Sequence, residues 1–175
     1  NSVGALRNSL IGNVTLALSR GSVAGINLAS ALAEGKSLVG MQDGGRSHGA
    51  KFTELTEFSA LKATFDFNNG VAHSSDFSLK APLFTSKGEG EITLDSGNME
   101  YRLDTAIASS LKRQSSGDLA DLKGISIPTR VSGPYASPSF TLNFGNASGG
   151  NSAKLAKANM ARTATANTAV GSVAP

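Results

Sequence analysis

The only side chains whose ordinary pKa lies near neutrality are His48 and His73, so proton transfer at physiological pH would run through them or through carboxylates. His48 sits in the polar, glycine-rich stretch 42–49. His73 follows a turn, and its spacing from Phe77 and Leu79 expects it on the inward face of a strand. No serine, aspartate or second histidine stands at a recognised motif spacing to support either imidazole. Glu54, Glu57, Glu89, Glu91, Glu100 and Asp104 fall mostly on the polar side of strand-like runs, where solvated surface is the expected role. The sequence has no phosphate-binding loop, dinucleotide fingerprint or zinc spacing, and no cysteine for a disulfide or thiolate site. Asn13-x-Thr15 and Asn146-x-Ser148 match the glycosylation pattern, a short motif that matters only in a compartment that glycosylates. The expectation is a chain with no enzymatic activity, no metal and no cofactor.

Charge excludes another class. The formal charge is only +3, and the lysines and arginines are scattered singly apart from Lys112-Arg113, so no nucleic-acid footprint is visible. No run approaches the roughly 18 apolar residues that span a bilayer, and no signal sequence opens the chain. A start at Asn1 is expected of a mature or excised chain, with any membrane anchor outside these residues.

What remains is hydrophobic alternation, which must position anything functional. Between residues 58 and 107, apolar or small residues recur at every second position through Ala63-x-Phe65-x-Phe67, Phe77-x-Leu79-x-Ala81, Gly88-x-Gly90-x-Ile92-x-Leu94 and Met99-x-Tyr101-x-Leu103-x-Thr105-x-Ile107. Residues two apart share one face of a strand, so this is an antiparallel meander with an apolar and a polar face. Asn69-Gly70 predicts a hairpin, since both residues tolerate positive φ. Pro82 ends the strand through Phe77, and 95–98 turns the next pair. Gly88 and Gly90 fall inward, serving either a tight bend or a close crossing of another segment, or else clearance for a ligand chain.

Outside the meander, 10–18 alternates as a strand that stops at Arg20-Gly21, and a short turn and strand then lead to a helix over 28–34, capped by Asn27 and ended by Gly35. Residues 42–49 read as a loop, and 52–61 as an irregular strand or a single helical turn. Residues 115–118 read as a loop and 119–123 as a short helix. Two last strands follow, Ile125–Val131 and Phe140–Phe144. The fold class expected is mainly β: an antiparallel, twisted, curved sheet, an open groove or partly closed barrel-like form, with one or two short helices packed against or capping it. Residues 1–144 form this domain. Residues 145–175 are a low-complexity tail rich in Ala, Asn, Thr and Gly, flexible or partly helical near 155–162.

The order of these motifs resembles a known family. Leu10-x-Gly12, Gly25-Ile26-Asn27-Leu28, Thr56-x-Phe58-x-x-Leu61-x-Ala63-x-Phe65-x-Phe67-x-Asn69-Gly70-Val71, Asp76-Phe77-x-Leu79-x-Ala81-Pro82-Leu83 and Ile127-Pro128-x-x-Val131-x-Gly133 are similar to the C-terminal domain of the AsmA family, over roughly residues 4–144. That resemblance implies a bacterial envelope protein anchored in the inner membrane, mostly periplasmic, in a Gram-negative cell. It also implies a likeness to bridge-like lipid transporters, whose β-groove carries phospholipid between the inner and outer membranes and supports outer-membrane assembly. Phe65, Phe67, Phe77, Leu79, Ile92, Leu94, Tyr101 and Leu103 are then the residues expected to line a groove for phospholipid acyl chains. The alternative is a periplasmic structural cap that binds an envelope protein partner through sheet edges and carries no lipid, with Lys80, Lys87 or the 36–51 loop guarding those edges.

Overall fold

The computed structural model describes residues 9–25, 27–41, 45–49, 51–108 and 121–170. Among them, eight strands form one antiparallel sheet: β1 (Gly12–Gly25), β2 (Gly45–Gly49), β3 (Lys51–Asn68), β4 (Val71–Lys80), β5 (Phe84–Thr93), β6 (Asn98–Ile107), β7 (Ser126–Pro134) and β8 (Ser139–Asn143). Their order is β1-β3-β4-β5-β6-β7-β8-β2. The meander from β3 to β8 follows the expected punctuation, with Asn69 and Gly70 at φ 47 and 78 in the first hairpin. Two expectations fail. Residues 10–25 are not a strand, a turn and a second strand, because Arg20 adopts φ 63 inside a single continuous β1. Residues 45–49 are not a loop but the edge strand β2, paired with β8 from Gly45↔Asn143 to Gly49↔Ser139. The edges are therefore β1 and β2, whereas Lys80 and Lys87 project from interior strands and guard neither. Of the short helix expected at 119–123, residues 119 and 120 lie outside the described residues, and residues 121–124 form a single 3-10 turn that ends at Gly124, φ 72.

Chain continuity shows how far this open sheet curls. β2 and β3 stand six strand intervals apart, about 29 Å if flat at about 4.8 Å per interval. Yet only residue 50 separates Gly49 from Lys51, a reach of at most about 7.6 Å. The two sides of the sheet thus meet at one corner, and the remainder stays open. Residues 27–41 cross the concave face between the edges β1 and β2. Within this crossover, α1 (Leu28–Glu34) starts where Asn27 Oδ1 accepts from the Ser30 N–H at 3.1 Å. The Leu28 N–H, left without an intrahelical partner, donates to Thr56 Oγ1 at 3.0 Å. A 3-10 turn at Gly35–Leu38 follows. The tail docks against it as α2 (Ser152–Val170), where the buried Asn159 amide donates to the Lys36 and Val39 carbonyls at 3.3 and 3.2 Å. Gly40, at φ +79, makes room for α2: a Cβ there would fall 2.2 Å from Ala156 Cβ.

A strand keeps one face apolar through a bend only if its alternation is reset. β3 does this at Ser59 and Ala60, both exposed, so that Thr56 and Phe58 face inward before them and Leu61 and Ala63 after. Residues 52–61 are therefore an irregular strand and not a helical turn. β4 resets at Ser75 and Asp76, where the pairing with β5 slips between Ser74↔Gly90 and Phe77↔Gly88. The two exposed residues form a bulge. Ala72 and Ser74 are consequently buried and His73 is exposed, reversing the inward position that spacing from Phe77 implied. The Asp76 carboxylate fills the gap that the bulge leaves, accepting from the Thr64 backbone N–H and, at 2.8 Å, from the Thr64 hydroxyl. Those two donors hold its carboxyl below the usual 3.8.

Three aromatic rings are seated on glycines. A Cβ on Gly21 would lie 2.6 Å from the Phe58 ring, one on Gly35 1.8 Å from Phe144, and one on Gly90 2.3 Å from Tyr101. At Gly88 the obstacle is backbone, with Arg102 O 2.0 Å from the Cβ position. The inward glycines of β5 thus permit a close crossing of β6. Gly90→Val should cost about 2–3 kcal/mol in urea unfolding, as overpacking does, whereas Gly45→Ala, with nothing within 4 Å of its Cβ position, should stay within about 0.5 kcal/mol. For Asp76 the folded-state pKa lies below the unfolded one, so its contribution is complete above the unfolded value and is lost as pH falls through the folded value. The urea midpoint gap between wild type and Asp76→Ala should therefore be constant from about pH 7 to about pH 5 and narrow below about pH 4; a gap that widens in acid would contradict the bulge contact.

Candidate functional site

The concave face is divided along the strands. At one end α1 and the 3-10 turns at Gly35–Leu38 and Phe144–Asn146 fill it: Leu32, Val39, Phe84, Ile107, Leu122, Ile125, Ile127, Leu142 and Phe144 are buried in one cluster, with Phe58 on the β3 side. Leu28 and Leu79 belong to this cluster and also face the open space beyond it. That space is a cavity of about 490 Å³, lined from β1 and from β3 to β8 and by the turn between β7 and β8 through Tyr135, Ala136 and Pro138. Its size is ordinary for a small-molecule pocket. Among the described residues that line it, none carries a charge.

Of the eight residues expected to line a groove, the structure brings six together here: Phe65, Phe77, Leu79, Ile92, Tyr101 and Leu103. The Phe77 and Tyr101 rings meet edge-on, with centroids 5.6 Å apart at 61°. Phe67 continues the row past the cavity, its ring 6.4 Å from that of Phe65, at the hairpin end of β3. Leu94 lies just beyond β5, where its N–H donates to Gly70 O at 2.8 Å and closes the end of the neighbouring hairpin. Neither lines the cavity. Leu16, Leu61, Ala63, Met99, Val131 and Phe140 do, although spacing had not singled them out as lining residues. Leu61, Ala63 and Met99 share their strand's inward parity with named residues, so that signal was present; Leu16, Val131 and Phe140 needed the sheet order.

The unexpected component is a band of hydroxyls. Ser86 on β5, Thr105 on β6 and Thr129 on β7 each occupy the inward position between the packed end and the cavity, and all three line the cavity. Their oxygens are linked, Ser86 to Thr105 at 2.9 Å and Thr105 to Thr129 at 2.9 Å, and Thr129 Oγ1 donates to Ile127 O at 3.1 Å. Convergent polar groups on the apolar face were not anticipated from sequence. A ladder of this kind satisfies buried hydroxyls within itself, so they remain in an apolar wall without an unmet donor. On the next strand Ser74 Oγ is fully buried and makes no hydrogen bond of regular geometry. It lies close enough to the Tyr101 phenol to favour the ionised form slightly, but burial dominates and raises the phenol above 10.

The cavity is open along β1. Val14, Leu16 and Leu18 follow one another on one face of that edge strand and are 54%, 38% and 45% exposed. Leu16 is also a lining residue, so the exposed row and the cavity wall are one surface. The opposite, convex face of the sheet is polar, with Glu100 accepting from Arg130 at 3.0 Å in an exposed pair and Asp104 accepting from Ser126 Oγ at 3.0 Å. His73 is exposed there beside its cross-strand partners Asp66 and Glu91, and the His48 side chain lies outside the described residues. Among the described residues no group of three or more His, Cys, Asp or Glu could hold a metal ion, and no helix is long and apolar enough to cross a membrane. Comparison with known protein families, with curated proteins and with solved structures finds no match.

Proposed function

We propose that this chain is a non-enzymatic β-groove module that shelters the apolar chain of a lipid. The observation that carries the reading is the cavity itself: a wall assembled from seven strands, with no charged side chain among the described residues that line it, continuous with an exposed apolar row on β1. Sheltering about 16 carbons from water gains about 12 kcal/mol at about 0.8 kcal/mol per methylene, so an accessible surface of this kind has a strong thermodynamic preference for acyl chains. The motif order similar to the AsmA family supports placing that activity in the periplasm of a Gram-negative cell, in an inner-membrane-anchored protein that moves phospholipid toward the outer membrane. A second reading, a cap that binds an envelope protein partner, is favoured by one observation: among the described residues the long edge strand β1 is paired on one side only, and it bears a single charged residue, Arg20, with no lysine or proline.

Native mass spectrometry of protein purified without detergent should show a bound species that organic extraction releases as lipid. A displaceable apolar fluorophore should bind the wild type, and Leu103→Glu, which puts a carboxylate into the cavity wall, should weaken that binding at least about tenfold. Lys87→Ala, on the convex face, should leave it unchanged. A folded wild type that neither retains lipid nor binds the fluorophore would remove the lipid reading and leave the edge-binding one.

A further inference from the structure

The hydrogen-bond directions at the cavity wall are fixed by counting protons. Each hydroxyl has one hydrogen and two lone pairs. Thr129 must be the donor to Ile127 O, because a carbonyl has no hydrogen to give. With that hydrogen committed, the 2.9 Å contact between Thr105 and Thr129 is a hydrogen bond only if Thr105 donates. Thr105 then has none left, so the 2.9 Å contact to Ser86 requires Ser86 to donate. One arrangement satisfies all three contacts, and it runs from Ser86 through Thr105 and Thr129 to a backbone carbonyl. Every donor is used, and Ser86 Oγ presents only lone pairs at the cavity wall.

We infer that the cavity selects neutral amphiphiles whose polar group donates a hydrogen bond, such as an alcohol or a secondary amide, over ethers, esters and ionised carboxylates of the same chain length. Two features act together. A carboxylate or phosphate entering the cavity would meet the lone pairs of Ser86, and among the described residues that line the cavity none is a cation. At the level of Ser86 an ether or ester oxygen would meet them with no hydrogen to offer, the Tyr101 phenol being carried four residues away along β6 from Thr105, the cross-strand partner of Ser86. An O–H or N–H group completes the ladder as a fourth donor at its open end. This inference rests on the chain-binding reading above and refines what the chain carries.

The test uses the full chain loaded with a neutral, environment-sensitive fluorophore, displaced by 1-dodecanol or by its methyl ether. The wild type should prefer the alcohol by about fivefold, the effect of one ordinary hydrogen bond. Thr105→Val, nearly isosteric, removes the acceptor for Ser86 and frees the serine hydrogen, which can then serve the ether oxygen. The preference should fall within about twofold, with melting and circular dichroism checking that the variant is folded. Should that variant not fold, N-methyldodecanamide and N,N-dimethyldodecanamide, which differ by one N–H, decide the same point on the wild type. Equal displacement by both members of a pair in the wild type, or an unchanged preference in folded Thr105→Val, would overturn the inference while leaving chain binding intact. Failure of all four ligands to displace the fluorophore would overturn the chain-binding reading and this inference with it.

Discussion

Side chains on a strand alternate between faces, and a sheet that curls strongly must still keep every apolar residue on its concave side. Those two demands conflict wherever a strand bends. Here the conflict is resolved by local resets: Ser59 and Ala60 in β3, opposite the left-handed Arg20 of β1, and the bulge at Ser75 and Asp76 in β4. Without the second reset, Phe77 and Leu79 would point to the convex face and Ala72 and Ser74 alone would remain inside. Asp76 makes the bulge tolerable, because its carboxylate takes the Thr64 backbone N–H that the slipped ladder leaves without a partner. An exposed carboxylate on the far side of the sheet thereby determines which rings reach the cavity.

The crossover makes one end of the trough a core and leaves the other an opening. A helix of seven residues is too short to persist alone, and α1 is held by burial of Ala31 and Leu32, by Asn27 and by Thr56. It fills the concave face only to the level of Phe84, Ile107 and Ile127. The next inward residue on each of those three strands is a hydroxyl, Ser86, Thr105 or Thr129, and beyond them come Gly88, Leu103 and Val131. The ladder therefore marks the boundary between the packed end and the cavity. Placing polar groups at that level is compatible with an apolar wall because they satisfy one another across strands.

Much of this was legible from spacing alone. The meander, its first hairpin, α1 with its cap and the inward face of β5 and β6 all follow from local pattern, because each depends on residues close in sequence. Six of eight candidate lining residues meet in the cavity for the same reason. The failures share a different cause. Spacing from Phe77 puts His73 on the wrong face because a bulge inserts one residue without changing composition. Residues 45–49 looked like a loop because Gly45, Arg46, Ser47, His48 and Gly49 carry no apolar alternation; they are a strand only because β8 needs a partner. Phe67 and Leu94 have the right parity but lie past the end of the cavity, and parity carries no information about position along the trough. Spacing does not disclose the hydroxyl ladder because Ser86, Thr105 and Thr129 read as interruptions of apolar runs, and their partnership spans three strands.

The open side along β1 follows from the same connectivity that closes the other end. The passage from β2 into β3 ties the two sides of the sheet together at one corner, and a sheet joined only there can remain parted along the rest of its edges. Val14, Leu16 and Leu18 line that parting and are about half exposed. Exposed apolar area carries a cost of about 25 cal/mol per Å² against a covered state, and along this edge Arg20 is the one charged side chain and no proline interrupts the strand, so the row at Val14, Leu16 and Leu18 has little of the protection with which exposed strands ordinarily avoid other apolar surfaces. A chain lying in the cavity and emerging at β1 would cover both surfaces at once. A protein strand added to β1 would cover the edge and leave the cavity wall behind it open. The continuity of the two surfaces through Leu16 is therefore the feature that favours a long apolar occupant over a strand partner.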